Sequence, residues 1–254
     1  MLLAASPAKA YSGTPTTCHL LSNPVTVDGK WTTLEEWSDS LETPLYKSFS
    51  STLNGTGYFY TKHDSDYVYA LLDFISDASQ DQYDQSVVFL DTGHDGGSVA
   101  KVDDYAFALI WTNMTSSRFS MWKGTGAGWQ TVDSQIAFLT PVPGSLAASS
   151  LSASPRSSTL HMVYEFRIPK TIFAASSSSI GLAMVLAHKA APPSAEVLLT
   201  WPRDTLRDIP DKWGELTFSS TPIPEFPNPT TVLVALVALT FCFSGRKRNH
   251  AHMR

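Results

Sequence analysis

Several chemistries are excluded by what this chain has little of. Of its 254 residues only two are cysteine, Cys18 and Cys242, near opposite ends. The second sits in an apolar run, which argues against a disulfide framework, and only His19 adjoins Cys18 as a further metal donor. Basic residues are outnumbered, with 18 Lys and Arg against 23 Asp and Glu, so no basic face marks a nucleic-acid binder. The Gly-x-Ser-x-Gly elbow, His-Glu-x-x-His, Cys-x-x-Cys and the phosphate loop are all missing, which leaves catalysis without a recognisable motif. Glu165 and Asp91 can be proposed as paired carboxylates, but any β protein offers such pairs. No stretch of the chain repeats another.

The chain does carry enough apolar residues, 43%, to bury a core. Tyr67 to Asp77 and Ser86 to Asp91 are apolar on both alternating faces and rich in β-branched and aromatic residues, the pattern of strands buried between layers. Gly57 to Lys62, Tyr105 to Trp111, Arg118 to Trp122, Trp129 to Val132, Leu160 to Ile168, Ile180 to Ala187, Val197 to Pro202 and Trp213 to Phe218 also read as strands. About ten short strands separated by turn signals predict an all-β antiparallel sandwich, jelly-roll-like, spanning 23–219. Asn23 to Gly29 reads as a short strand ending in an Asp-Gly turn. Leu34, Trp37 and Leu41 share a helical face, which predicts a short helix or turn over one end. Residues 141–158, rich in Ser, Ala and Pro, read as a surface loop.

The ends read as lying outside this fold. Residues 1–10 end in Ala8-Lys-Ala10, the small-x-small pattern of a signal-peptidase site, and 11–22 read as a polar leader. Residues 220–229 form a Pro-rich spacer. Residues 230–245 are almost wholly apolar, and 246–254 begin with Arg246-Lys-Arg248. An apolar run closed by a basic cluster predicts one C-terminal transmembrane helix with a cytoplasmic tail, although the run is short of the ~20 residues of a usual span. With Pro224, Glu225, Phe226 and Pro227, this tail resembles the archaeal PEF-CTERM class of sorting signals. The resemblance implies export, a cell-surface location and processing near the motif.

The order of motifs in the folded part is similar to that of the family-9 carbohydrate-binding module and its DOMON-like superfamily. The motifs are Val27-Asp-Gly29 with Glu36-Trp37, the strand ending in Asp77, Ser86 to Asp91, Asp103-Asp104-Tyr-Ala-Phe107, Tyr164 to Pro169, Ile180-Gly-Leu182, and Trp201-Pro202 with Trp213 to Leu216. The resemblance implies a non-catalytic module that binds a glycan at the rim of the sandwich. It also implies a clamp of two tryptophans. The first position falls here at Gln82 or Tyr83, and the second at Leu206, ahead of Arg207-Asp208. Tyrosine can stack on a sugar face; leucine stacks poorly. The expected ligand residues are therefore Tyr83, Trp122, Trp129 and Arg207, the two tryptophans flanking a Gly-rich turn. Trp37, Trp111, Trp201 and Trp213 read as core.

Two cofactors come into question. Asp91, Asp95, Asp103 and Asp104, around Gly93, Gly96 and Gly97, offer the oxygen ligands calcium wants, although Asp and Gly also simply make turns. Haem b, held elsewhere in the same superfamily, is the alternative, with Met114, Met121, Met184, His161, His188 and Lys189 as axial candidates. A structural envelope protein is the third reading. Asn54 and Asn113 begin glycosylation sequons.

Overall fold

A computed structural model describes residues 15–132, 142–173, 177–189 and 197–223. The signal-like start, Pro224 to Pro227, the apolar run and the basic tail lie outside the described residues. Among the described residues no helix is long and apolar enough to cross a membrane. Fourteen strands are described: β1 (Thr16–Leu20), β2 (Leu41–Pro44), β3 (Tyr46–Lys47), β4 (Tyr58–His63), β5 (Tyr67–Phe74), β6 (Gln85–Asp91), β7 (Asp104–Asn113), β8 (Ser116–Gly124), β9 (Trp129–Val132), β10 (Leu146–Ser154), β11 (Ser157–Pro169), β12 (Ser179–His188), β13 (Val197–Trp201) and β14 (Gly214–Phe218).

They form two layers. Layer A runs β9-β8-β7-β6-β12, after which β12 pairs with β14 over its first half and with β13 over its second; β3 continues from β13. Layer B runs β10-β11-β5-β4-β2. Alternation sends one face of each inward. Val88, Leu90, Phe107, Leu109, Leu182, Met184 and Leu186 of layer A meet Val68, Leu72, Phe74, Met162, Tyr164 and Phe166 of layer B. The expected sandwich is therefore present, and strands β5 and β6 are buried on both faces, because each layer is also covered outside.

The outer cover of layer B departs from expectation. Residues 21–40 do not form the strand expected at 23–29; of the short helix or turn expected next, it is turns that form, with the Glu36, Ser38 and Ser40 amides donating to the Thr33, Glu35 and Trp37 carbonyls. Leu34 is 72% exposed and Leu41 lies in β2; Trp37 alone of the three is buried. Side-chain carboxylates take the place of a ladder. Asp39 Oδ2 accepts from the Ser22 and Asn23 amides, Glu36 from those of Thr26 and Thr32, and Glu165 of β11 from those of Asp28 and Gly29. Lys62 donates to Asp39 and to the carbonyls of Asn23 and Glu36. The backbone's polar groups are thus satisfied without regular structure. Gly29 has φ +78°, and a Cβ there would lie 2.5 Å from the Ser149 backbone, so only glycine allows the crossing over β10.

Two further expectations fail. The loop expected at 141–158 contains β10, which pairs with β11 from Leu146 to Ser154. Its small residues carry little strand propensity; the neighbouring strand imposes the register. The polar leader also contains part of the fold. Thr16 to Cys18 run parallel to β14 of layer A, and His19 and Leu20 run parallel to β4 of layer B. Cys18 is fully buried there, and burial pushes its thiol up to about 12.

Candidate functional site

The outer face of layer A holds an aromatic cluster. Across it the register sets Trp122 of β8 beside Ala106 of β7, Phe89 of β6 and Ala183 of β12. The alanines leave room above the strands, and larger rings fill it. Trp129 reaches in from edge strand β9, its ring centroid 5.8 Å from Phe89 and 6.4 Å from Trp213, nearly parallel to the latter at 14°. The loop 202–213 closes over this corner. Trp129 Nε1 donates to Asp208 Oδ1 at 2.9 Å, and Trp213 Nε1 donates to the Leu206 carbonyl at 3.1 Å. Arg207, exposed, lies 3.3 Å from Asp208 through Nε. Trp213 is fully buried, as expected, but in this outer cluster rather than between the layers.

The expected ligand residues therefore fall into two places. Trp122 and Trp129 are half-buried neighbours, with Arg207 on the loop that Trp129 binds. Tyr83 is exposed at the start of β6, at φ +76°, its amide donating to the Trp111 carbonyl. Trp111 lies five residues along β7 from Ala106, the partner of Trp122. At ~3.4 Å per residue that separates Tyr83 from the tryptophan corner by roughly 17 Å.

At the end of β6, the oxygens of Asp91, Asp95 and Asp103 converge within 4.8 Å. Asp104 does not join them: it is fully buried, its Oδ2 accepts from the Lys101 amide at 2.6 Å, and burial raises its carboxyl to about 8. The loop is wound on Asp91, which accepts from the Gly96 amide at 2.7 Å and the Asp95 amide at 3.3 Å. Gly93 makes space, since a Cβ there would sit 1.9 Å from Asp103 Oδ2. Lys101 Nζ stands 2.8 Å from Asp95 Oδ1. Burial, then the charges of Asp95 and Asp91, hold the Asp103 carboxyl above its ordinary value.

A second cluster was not read from the sequence. Asp77 after β5, Asp84 before β6 and His188 at the end of β12 also bring ligand atoms within 4.8 Å. His188 Nδ1 lies 3.0 Å from Asp84 Oδ1 and 3.2 Å from Asp77 Oδ1. Hydrogen bonds to Asp77 and Asp84 raise the imidazole to about 10. The three are spread over more than a hundred positions, so no local spacing signals them.

The haem candidates lie on several strands of the sandwich. His161 is buried against Asp73, its Nε2 2.5 Å from Oδ1, on the outer side of β11. Met121 and Met184 lie in the interlayer core, and Met114 is 68% exposed. Lys189 donates its amide to Asp84. Trp111 and Trp201 are core, as expected, and Asn54 and Asn113 are exposed.

No family model matches the chain, and no curated protein matches it. Solved structures do. A family-9 carbohydrate-binding module from Caldicellulosiruptor kristjanssonii in complex with cellotriose superposes with a TM-score of 0.57 at 15% identity, covering 84% of this chain and 100% of that one. The same organism's module in complex with glucose gives 0.57 at 14%, with the same coverage. A candidate carbohydrate-binding protein of Bacteroides uniformis gives 0.50 at 13%, covering 82% of this chain and 100% of that one. At such identities the likeness speaks to architecture: this chain has the β-sandwich fold of the family-9 carbohydrate-binding modules.

Proposed function

We propose that this chain is a non-catalytic glycan-binding module that holds a sugar on the outer face of layer A. The observation that carries the reading is the corner formed by Trp122, Trp129 and Arg207 on that face. Aromatic faces pack against sugar C–H surfaces, and a guanidinium offers several donors to hydroxyls. Solved modules of the same fold, complexed with cellotriose and glucose, support a β-glucan as the ligand class. Tyr83, exposed beyond that corner, is a second contact for a chain long enough to reach it. Calcium at Asp91, Asp95 and Asp103 braces the loop after β6, relieving the repulsion that raises Asp103 and displacing Lys101 from Asp95. The apolar run at 230–245, the basic residues after it and the Pro-Glu-Phe-Pro motif support display at the cell surface on a membrane anchor.

The test is calorimetric titration of the full chain with cellotriose. Binding is expected in the wild type and at least ~10-fold weaker in Trp122→Ala, with the unfolding midpoint retained. A wild type that binds neither cellotriose nor glucose refutes the β-glucan reading.

A further inference from the structure

We propose that Asp77, Asp84 and His188 form a site for a divalent transition ion of the zinc class, which ties layer B to layer A. This goes beyond the glycan reading and does not rest on it. Asp77 leaves β5 in layer B, where its carbonyl accepts from the Met162 amide at 2.7 Å. Asp84 immediately precedes β6 and His188 ends the adjacent strand β12 of layer A. An ion bound by all three therefore links both layers at one end of the sandwich.

The geometry selects the ion. Zinc holds nitrogen and oxygen ligands at about 2.0–2.2 Å in a tetrahedron, whose edges are then about 3.3–3.6 Å. His188 Nδ1 stands 3.0 and 3.2 Å from its two carboxylate neighbours, close to those edges. Calcium prefers six to eight oxygens at longer range, and imidazole favours transition metals. The carboxylates are held in place from behind. Asp84 Oδ2 accepts from the Asp81 amide at 2.6 Å, and Oδ1 from the Lys189 amide at 2.8 Å. Such supporting bonds orient metal ligands.

Two buried polar atoms, one of them in the cluster, have no hydrogen-bond partner. They are Asp77 Oδ2, on a residue 1% exposed, and the hydroxyl of Tyr164, a residue with no exposure. Burial first, then the charges of Asp77 and Asp84, hold that phenol well above its ordinary value. A buried acceptor and a buried donor without partners are costly. An ion held by the Asp77 carboxylate compensates the first of these. Binding releases the Nδ1 proton to solvent as the lone pair turns to the metal. His188 keeps 12% of its side chain exposed, and Lys189 and Asp81, 3.6 Å apart, lie at this opening.

The experiment strips the full chain with EDTA and adds zinc chloride. At about a hundredfold excess over Kd the unfolding midpoint should rise by about 5–10 °C. The rise should vanish in His188→Gln and survive in Asp95→Asn, which spares this site. No rise in the wild type, or an equal rise in His188→Gln, overturns the proposal. If His188→Gln does not fold, cobalt(II) added to the wild type decides. Intense visible bands of tetrahedral coordination support the site, and the weak spectrum of octahedral cobalt overturns it.

Discussion

Lys62→Met tests how the unstructured cover of layer B is held. The Lys62 ammonium and its Asp39 partner have no side-chain exposure and lie 2.7 Å apart. Lys62 also donates to the Asn23 carbonyl at 2.8 Å and to that of Glu36, and sits 5.2 Å from the Trp37 ring centre. Methionine nearly matches its length and flexibility, so no large cavity opens. What remains is a buried carboxylate with only the Ser22 and Asn23 amides, and two carbonyls deprived of a donor. Removing one partner of a buried pair costs ~3–5 kcal/mol. At roughly 2–4 °C per kcal/mol for a domain of this size, the midpoint should fall by ~6–20 °C. Adding Asp39→Asn removes the stranded charge, so the double variant should be ~1–3 kcal/mol more stable than the two single losses summed. Urea unfolding followed by tryptophan fluorescence reads both numbers. A loss under ~1 kcal/mol for Lys62→Met, or strict additivity, refutes the view that one buried cation anchors residues 21–40.

Acid unfolding checks the same pair. Burial pushes the Asp39 carboxyl up, but Lys62 and the Asn23 and Ser22 amides outweigh it and hold it below the ordinary value. A lowered carboxylate stabilises the fold above its ordinary pKa, and that stability is lost as pH falls through the folded value. Wild type should therefore lose stability steeply below about pH 4, and a profile for Asp39→Asn no flatter there would contradict the assignment. Gly93→Ala should displace the Asp103 carboxylate from the loop after β6. Calorimetry should show calcium affinity reduced at least ~10-fold, while the midpoint in EDTA changes little; undiminished calcium binding would remove Asp103 from that site.

What the sequence made legible follows side-chain size. β5, β6, β7, β11 and β12 carry large apolar residues on alternating positions, and each lies where its pattern puts it. β10 stands where a loop is expected because Ala147, Ala148, Ser149 and Ser150 carry almost no such signal; its place comes from its partner, strand β11. The strand expected at 23–29 is absent because the order of this segment comes from the carboxylates of Glu36 and Asp39 and from two residues distant in the chain, Lys62 and Glu165. At the candidate sites the same contrast holds. Asp91, Asp95 and Asp103 lie within one loop and could be grouped by eye. Asp77, Asp84 and His188 meet only once β5, β6 and β12 are packed. The grouping of Trp122 with Trp129 was visible across a short turn, whereas the distance of Tyr83 from them required the register of β7.

The first strand has a consequence for how the protein is made and joined to others. β1 pairs with the last strand, and the Ser219 amide returns to the Cys18 carbonyl at 2.9 Å. β1 is therefore made some two hundred residues before β14 and waits for its permanent neighbour until that strand has emerged. Contacts this distant in sequence make for slow closure. Once closed, entry and exit lie side by side, so the whole domain is suited to being carried as a pendant inserted into another chain through a single surface turn.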